Sequence, residues 1–162
     1  MILTVMRRPP LLAAVLAAAA PVAAACGWIE SEGRERIESR YRPGEALLSE
    51  PAANCFGRES KGSAQIRGNG PLVLTAEHLW FSLLVPADEL TVPLIDVLDV
   101  DIVDAHLGKS VGRPLLRVRF RGSNGDDAAA WLVADPERWR REITARIPRA
   151  HEPGATPLAP GE

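Results

Sequence analysis

The stretch 66-IRGNGPLVLTAEHLWFSLLVPADELTVPLIDVLDV-100 decides how the chain folds. Its apolar residues fall in short alternating runs separated by turn-forming residues, the pattern of half-buried strands in an antiparallel sheet. Gly68-Asn69-Gly70 reads as a tight turn that tolerates positive φ. Leu72 to Leu74 reads as a strand, Thr75-Ala76-Glu77 as a turn, and His78 to Val85 as a second, strongly apolar strand that holds Trp80 and Phe81 on opposite faces or near a bulge. Pro86-Ala87-Asp88-Glu89 turns the chain back, and residues 90–94 alternate again. Ile95, Val97, Val100 and Ile102 continue one apolar face, leaving Asp99, Asp101 and Asp104 to water.

Downstream, 105–114 reads as a loop. Residues 115–120 (LLRVRF) place Leu116, Val118 and Phe120 on one face and Arg117 and Arg119 on the other. Ser123-Asn124-Gly125-Asp126 is a hairpin turn of the favoured Asn-Gly kind, and residues 128–133 return as the last strand, carrying Trp131. One amphipathic helix follows. Asp135 is its N-cap, Pro136 its first residue, and Trp139, Ile143 and Ile147 share a face until Pro148 stops it. Trp139 would be the helix's largest contact with the sheet. The fold class is therefore mainly β with one C-terminal α-helix, spanning residues 44–147.

Upstream the signal is weaker. Residues 45–49 read as a short first strand, 51–62 (PAANCFGRESKG) as a loop and 64–67 as another short strand. Residues 30–43 are strongly charged. Glu32–Arg36 and Glu38–Arg42 are i,i+4 pairs, so the segment is helix-capable and reads as a connector that Pro43-Gly44 ends. The Pro/Gly-rich tail 148–162 has the composition of a disordered segment.

Residues 1–29 raise the membrane question. Arg7 and Arg8 precede an uncharged run from Pro9 to Ile29, just long enough to span a bilayer core. Arginines 34, 36, 40 and 42 follow it, and their excess places the following domain in the cytoplasm if the run is an uncleaved single-pass anchor. Ala23-Ala24-Ala25 also offers a signal-peptidase site, and Cys26 directly after it resembles the acylated cysteine of a bacterial lipoprotein. Anchor, lipoprotein and cleaved secreted protein all remain open, as does a cytosolic form.

The chain's 162 residues suit one folded domain. A formal net charge of -2 argues against general nucleic-acid binding, which rests on neutralising phosphates. No H-x-x-H, H-E-x-x-H or C-x-x-C occurs, no phosphate loop follows a strand, and Asp96, Asp99, Asp101 and Asp104 are spaced as a solvated strand face. Cys55 beside Phe56 reads as a small apolar filler. The expectation is a non-enzymatic protein needing no metal or cofactor. Basic residues gather in two loops, Arg58 with Lys61 and Lys109 with Arg113, as candidates for an anionic ligand.

Gly70, Leu72, Leu74, Thr75, Leu79 and Phe81 fit the pattern G-x-L-x-L-T-x-x-x-L-x-F. Val92, Pro93, Leu94 and Val97 fit the second motif and Trp139 the helix tryptophan of the bacterial pleckstrin-homology (PH) and GRAM-like superfold. The chain resembles that superfold over about residues 45–147. The resemblance implies a PH-like antiparallel barrel or sandwich capped by a helix, here preceded by a hydrophobic N-terminal helix. It implies a binding or scaffolding module for anionic lipid or a protein partner, with Arg58, Lys61 and Arg67 at the lipid site. A partner strand added to an exposed sheet edge is the protein-binding alternative.

Overall fold

A computed structural model describes residues 27–147. The apolar run through Cys26, Pro148 and the tail to 162 lie outside the described residues, and so do the anchor, lipidation and disordered-tail expectations that fall there. Among the described residues no helix is long and apolar enough to cross a membrane.

Helix α1 runs through 27–40. Seven antiparallel strands follow: β1 (Leu48–Arg58), β2 (Gly68–Leu74), β3 (His78–Leu83), β4 (Asp88–Pro93), β5 (Val97–Val103), β6 (Leu115–Gly122) and β7 (Gly125–Leu132), then helix α2 (Pro136–Thr144). They form one sheet in the order β4-β3-β2-β1-β7-β6-β5. Two meanders, β2 to β4 and β5 to β7, are thus joined by β1.

The sheet is strongly curved. Phe81 on β3 and Trp131 on β7 lie three strand spacings apart, about 14 Å in a flat sheet. Yet their ring centroids are 5.8 Å apart. Leu72, Leu79 and Val92 from one meander share a core with Val97, Val118 and Phe120 from the other. Helix α2 packs on β5 and β6 and adds Trp139 and Ile143 to that core. As the sequence predicts, the Asp135 carboxylate accepts from the Arg138 N–H at 2.9 Å, and Pro136 opens the helix.

Several sequence expectations change. The expected loop 51–62 is mostly β1, the central strand, and the residues that disguise it sit at its irregularities. Pairing with β2 shifts register between Glu50 and Ala53, where Pro51 lacks an N–H to give a ladder. Pairing with β7 shifts between Cys55 and Arg58, where Gly57 has φ 108°. Residues 64–67 are not a strand, and Gly68-Asn69-Gly70 is not a turn but the start of β2. A Cβ at Gly70 would lie 1.9 Å from the Ser82 carbonyl oxygen, so glycine there serves close backbone approach, not reversal.

The face of 95–102 is broken likewise. Ile95 is exposed in a 3-10 turn over Leu94–Asp96, and Ile102 is only half-buried. A register shift between Val97 and Asp99 lets Val97 and Val100, three apart, both face inward. Asp101, expected to face water, forms a two-pronged ion pair with Arg117 across from it.

Residues 30–40 are not a free connector. As helix α1 they lie on the outer face of the sheet. A Cβ at the buried Gly33 would meet the Pro51 carbonyl oxygen at 1.9 Å, so only glycine lets the two backbones touch. Arg36 donates to Ser82 Oγ at 3.0 Å, and Arg40 pairs with Glu89 at 3.0 Å while stacking over Trp80. Of the expected pairs, Glu32–Arg36 forms at 3.1 Å, and Glu30–Arg34 joins it.

Candidate ligand-binding surface

The five basic residues singled out from sequence go to three places. Arg58 ends β1, and Lys61 ends the 3-10 turn Glu59–Lys61 that follows. Both reach the same Asp88 oxygen, at 3.6 Å and 2.5 Å. Burial alone would raise the Asp88 carboxyl, but the hydrogen bond from Lys61 and the charges of Lys61 and Arg58 outweigh it and hold it below the ordinary carboxylate value. The two cations border a cleft of about 520 Å³ between β4 and the β6–β7 hairpin. Asp127, nearly buried beside it, accepts from the Ser60 N–H at 2.9 Å and the Ser60 hydroxyl at 2.6 Å. Ser60 lies in the turn after β1, the strand beside β7, a relation that sequence spacing does not carry.

Lys109 belongs to a clasp. The loop 105–114 folds back over β1, where Lys109 Nζ donates to the Phe56 carbonyl and His106 Nε2–H to the Gly57 carbonyl, each at 3.2 Å. Beneath it Phe56, Leu115 and Ala130 form a small second core on the outer face of the sheet. Burial holds the His106 ring below its ordinary pKa.

Arg67 and Arg113 meet elsewhere. They line one groove of about 500 Å³ on the outer face of β1, together with Glu50, Ala52, Asn54 and Asn69. Arg67 stacks on the Phe56 ring, its guanidinium carbon 5.1 Å from the centroid. Asn54 donates to the Asn69 side-chain oxygen at 2.7 Å, leaving the Asn69 amide N–H groups available to the groove. Neither arginine has a carboxylate partner among the described residues. The wall's carboxylate, Glu50, accepts from the Ala134 N–H at 3.4 Å.

A second polar cluster was invisible in the sequence. Tyr41, just past α1, hydrogen-bonds His78 Nε2 at 3.0 Å, and His78 Nδ1 faces Thr75 Oγ1 at 3.2 Å. Burial, then the charge of Arg40, lower the His78 pKa, and burial raises that of Tyr41. Tyr41 is the chain's single tyrosine, and only the folding of α1 onto the sheet brings it to His78.

Cys55 packs against the main core, and its sulfur accepts from the Gly57 N–H at 3.4 Å. Burial pushes its thiol pKa up, opposite to the shift that activates a nucleophile. Trp131 is fully buried, and its indole N–H has no hydrogen-bond partner. No group of three or more His, Cys, Asp or Glu among the described residues could hold a metal ion.

No family model matches the chain, and no curated protein matches it. Among solved structures it is similar to a chain of "The 8S snRNP Assembly Intermediate", with TM-score 0.51 and 12% identity over 73% of this chain and 93% of that one. It is also similar to the "C-terminal domain of an unknown protein from Leishmania infantum", with TM-score 0.44 and 13% identity over 63% and 83% of the two chains. A third structure, "Mutations in SsgB correlate to longitudinal cell division during sporulation of Streptomyces coelicolor", has TM-score 0.31 and 9% identity over 67% and 96%. The last two carry no argument at those scores, and the first is a likeness of fold alone.

Proposed function

We propose that the chain is a non-catalytic binding module with PH- and GRAM-like architecture, held at a membrane by the apolar segment ending at residue 29. The curled seven-stranded sheet with α2 packed on β5 and β6 is compatible with the helix-capped barrel that the motif resemblance implies. The non-catalytic part is supported by how the reactive side chains are engaged. His78 and His106 hold the fold together through hydrogen bonds, and the Cys55 thiol is shielded.

The observation that carries the tethering is helix α1. It joins the apolar segment to the sheet and is fixed to the sheet at Gly33, Arg36, Arg40 and Tyr41. A helix advances about 1.5 Å per residue, so the sheet is held within a few residues of where the apolar segment ends.

Intact-mass measurement of the protein extracted from membranes tests this. A full-length mass after an alkaline carbonate wash is expected for the uncleaved anchor, with the module cytoplasmic. Loss of residues 1–25 with an acyl-bearing Cys26 would keep the tether but place the module outside the cytoplasm. Release into the soluble fraction without lipid would overturn the reading.

A further inference from the structure

We infer that Tyr41 and His78 form a pH-sensitive latch, which holds helix α1 on the sheet at neutral pH and releases it when the His78 ring takes up a proton. The latch needs nothing from the tether proposed above.

Helix α1 is held lightly. None of its residues joins either apolar core, and of residues 27–40 only Gly33 is buried. Polar and ring contacts therefore decide whether it stays down, and those at its C-terminal end converge on Tyr41. The Tyr41 N–H donates to the Ile37 carbonyl at 2.9 Å and closes the last helical turn. The Tyr41 ring meets Trp80 edge-on at 5.6 Å, and its hydroxyl lies 3.0 Å from His78 Nε2. Three residues on, Gly44 has φ 90° in the turn that separates α1 from β1. A helix freed at Tyr41 can swing on that turn.

Counting hydrogen bonds fixes the state of the ring. Thr75 Oγ1 accepts from the Glu77 N–H at 3.2 Å and the His78 N–H at 3.0 Å, which fills both of its lone pairs. Its one proton is left for His78 Nδ1 or the His78 carbonyl, each at 3.2 Å. Nδ1 therefore faces an oxygen that can give a hydrogen bond but not receive one. The proton of the neutral ring sits on Nε2 and is donated to the Tyr41 hydroxyl. A second proton would have to go on Nδ1, pointing at the saturated Thr75 oxygen. To find an acceptor the imidazolium must turn, and turning takes its Nε2–H away from Tyr41.

The charges around the ring oppose that second proton. Burial and then Arg40 disfavour it, and together they outweigh Glu77, the carboxylate in the same turn. Glu45 lines the same cavity as Tyr41 and His78. Glu89 on β4 is paired with Arg40 at 3.0 Å, and the β4 residue directly opposite His78 is the uncharged Pro93. The docked ring thus holds a proton less tightly than a free one. Docking is complete above the ordinary histidine value of about 6.5 and is lost as pH falls from there through the lower docked value.

Hydrogen exchange of the full chain tests the latch, read by peptide mass from about pH 7.5 to about pH 5, with labelling times adjusted for the intrinsic amide rate. Protection across residues 27–40 is expected to fall several-fold over that range while β6 and β7 keep theirs. His78→Gln, whose amide cannot take a charge, should flatten the response of α1. Glu77→Gln removes the carboxylate that favours the charged ring and should move the loss of protection to lower pH. Unchanged protection of residues 27–40 in the parent protein, or an equal loss in β6 and β7, would overturn the latch. So would a parent-like pH response in His78→Gln. If that variant already leaves α1 loose at neutral pH, a midpoint that does not move in Glu77→Gln would overturn it instead.

Discussion

Asp127 holds the turn after β1 against the β6–β7 hairpin by accepting from both the backbone and the side chain of Ser60. Asp127→Ala strands those donors and should cost about 1–3 kcal/mol, the range for a broken buried hydrogen bond, read as a lowered chemical-denaturation midpoint with unchanged slope. The histidines set a pH dependence. Burial lowers the pKa of both His78 and His106, aided at His78 by Arg40, so the unfolded chain takes up protons at higher pH than the folded one. The stability they contribute is complete above the unfolded value of about 6.5 and is lost as pH falls from there through the lower folded values. Melting temperature should fall across that window in the parent protein and less steeply in His106→Gln. A melting curve flat from neutrality to pH 5 would contradict this. At this scale the sequence shows which residues carry charge but not where the charge ends up. Arg58 and Lys61 looked like ligand contacts because their shared partner, Asp88, opens β4, three strands away in the sheet from β1.

The elements differ in how openly they declare themselves. Strands β3, β6 and β7 and helix α2 could be read from the sequence, because β6 and α2 bury one regular face and β3 and β7 are apolar runs bounded by turn residues. Strand β1 could not, since Pro51 and Gly57 are loop-like residues that here occupy bulges in a central strand. Helix α1 looked like a solvated connector because its sequence is mostly charged, and Arg36, Arg40 and, just past it, Tyr41 make polar and ring contacts with the sheet. Two substitutions test these assignments. Trp139→Ala removes the largest side chain α2 inserts into the core and should cost about 3–5 kcal/mol; a melting shift near zero would show that α2 does not pack as described. Gly33→Ala should have the opposite sign to its effect in an isolated helix, where alanine gains up to about 1 kcal/mol. Its Cβ would strike the Pro51 carbonyl, so α1 must lift. Hydrogen exchange should rise across residues 27–40 and stay unchanged in β6 and β7, and equal protection in both proteins would refute the docking.

For the whole molecule, the decisive arrangement is the position of β1 between two meanders. Each meander is local and can form from its own hairpins, but Asn54 pairs with Leu132 and Cys55 with Trp131, partners near opposite ends of the described chain. Closing so long a loop is slow compared with hairpin formation. A chain emerging from the ribosome would complete β1 through β4 with one side of β1 still bare, and would hold that open edge until β7 is made. Premature truncation anywhere before residue 125 would leave that edge exposed for good, ready to recruit a strand from a neighbouring copy.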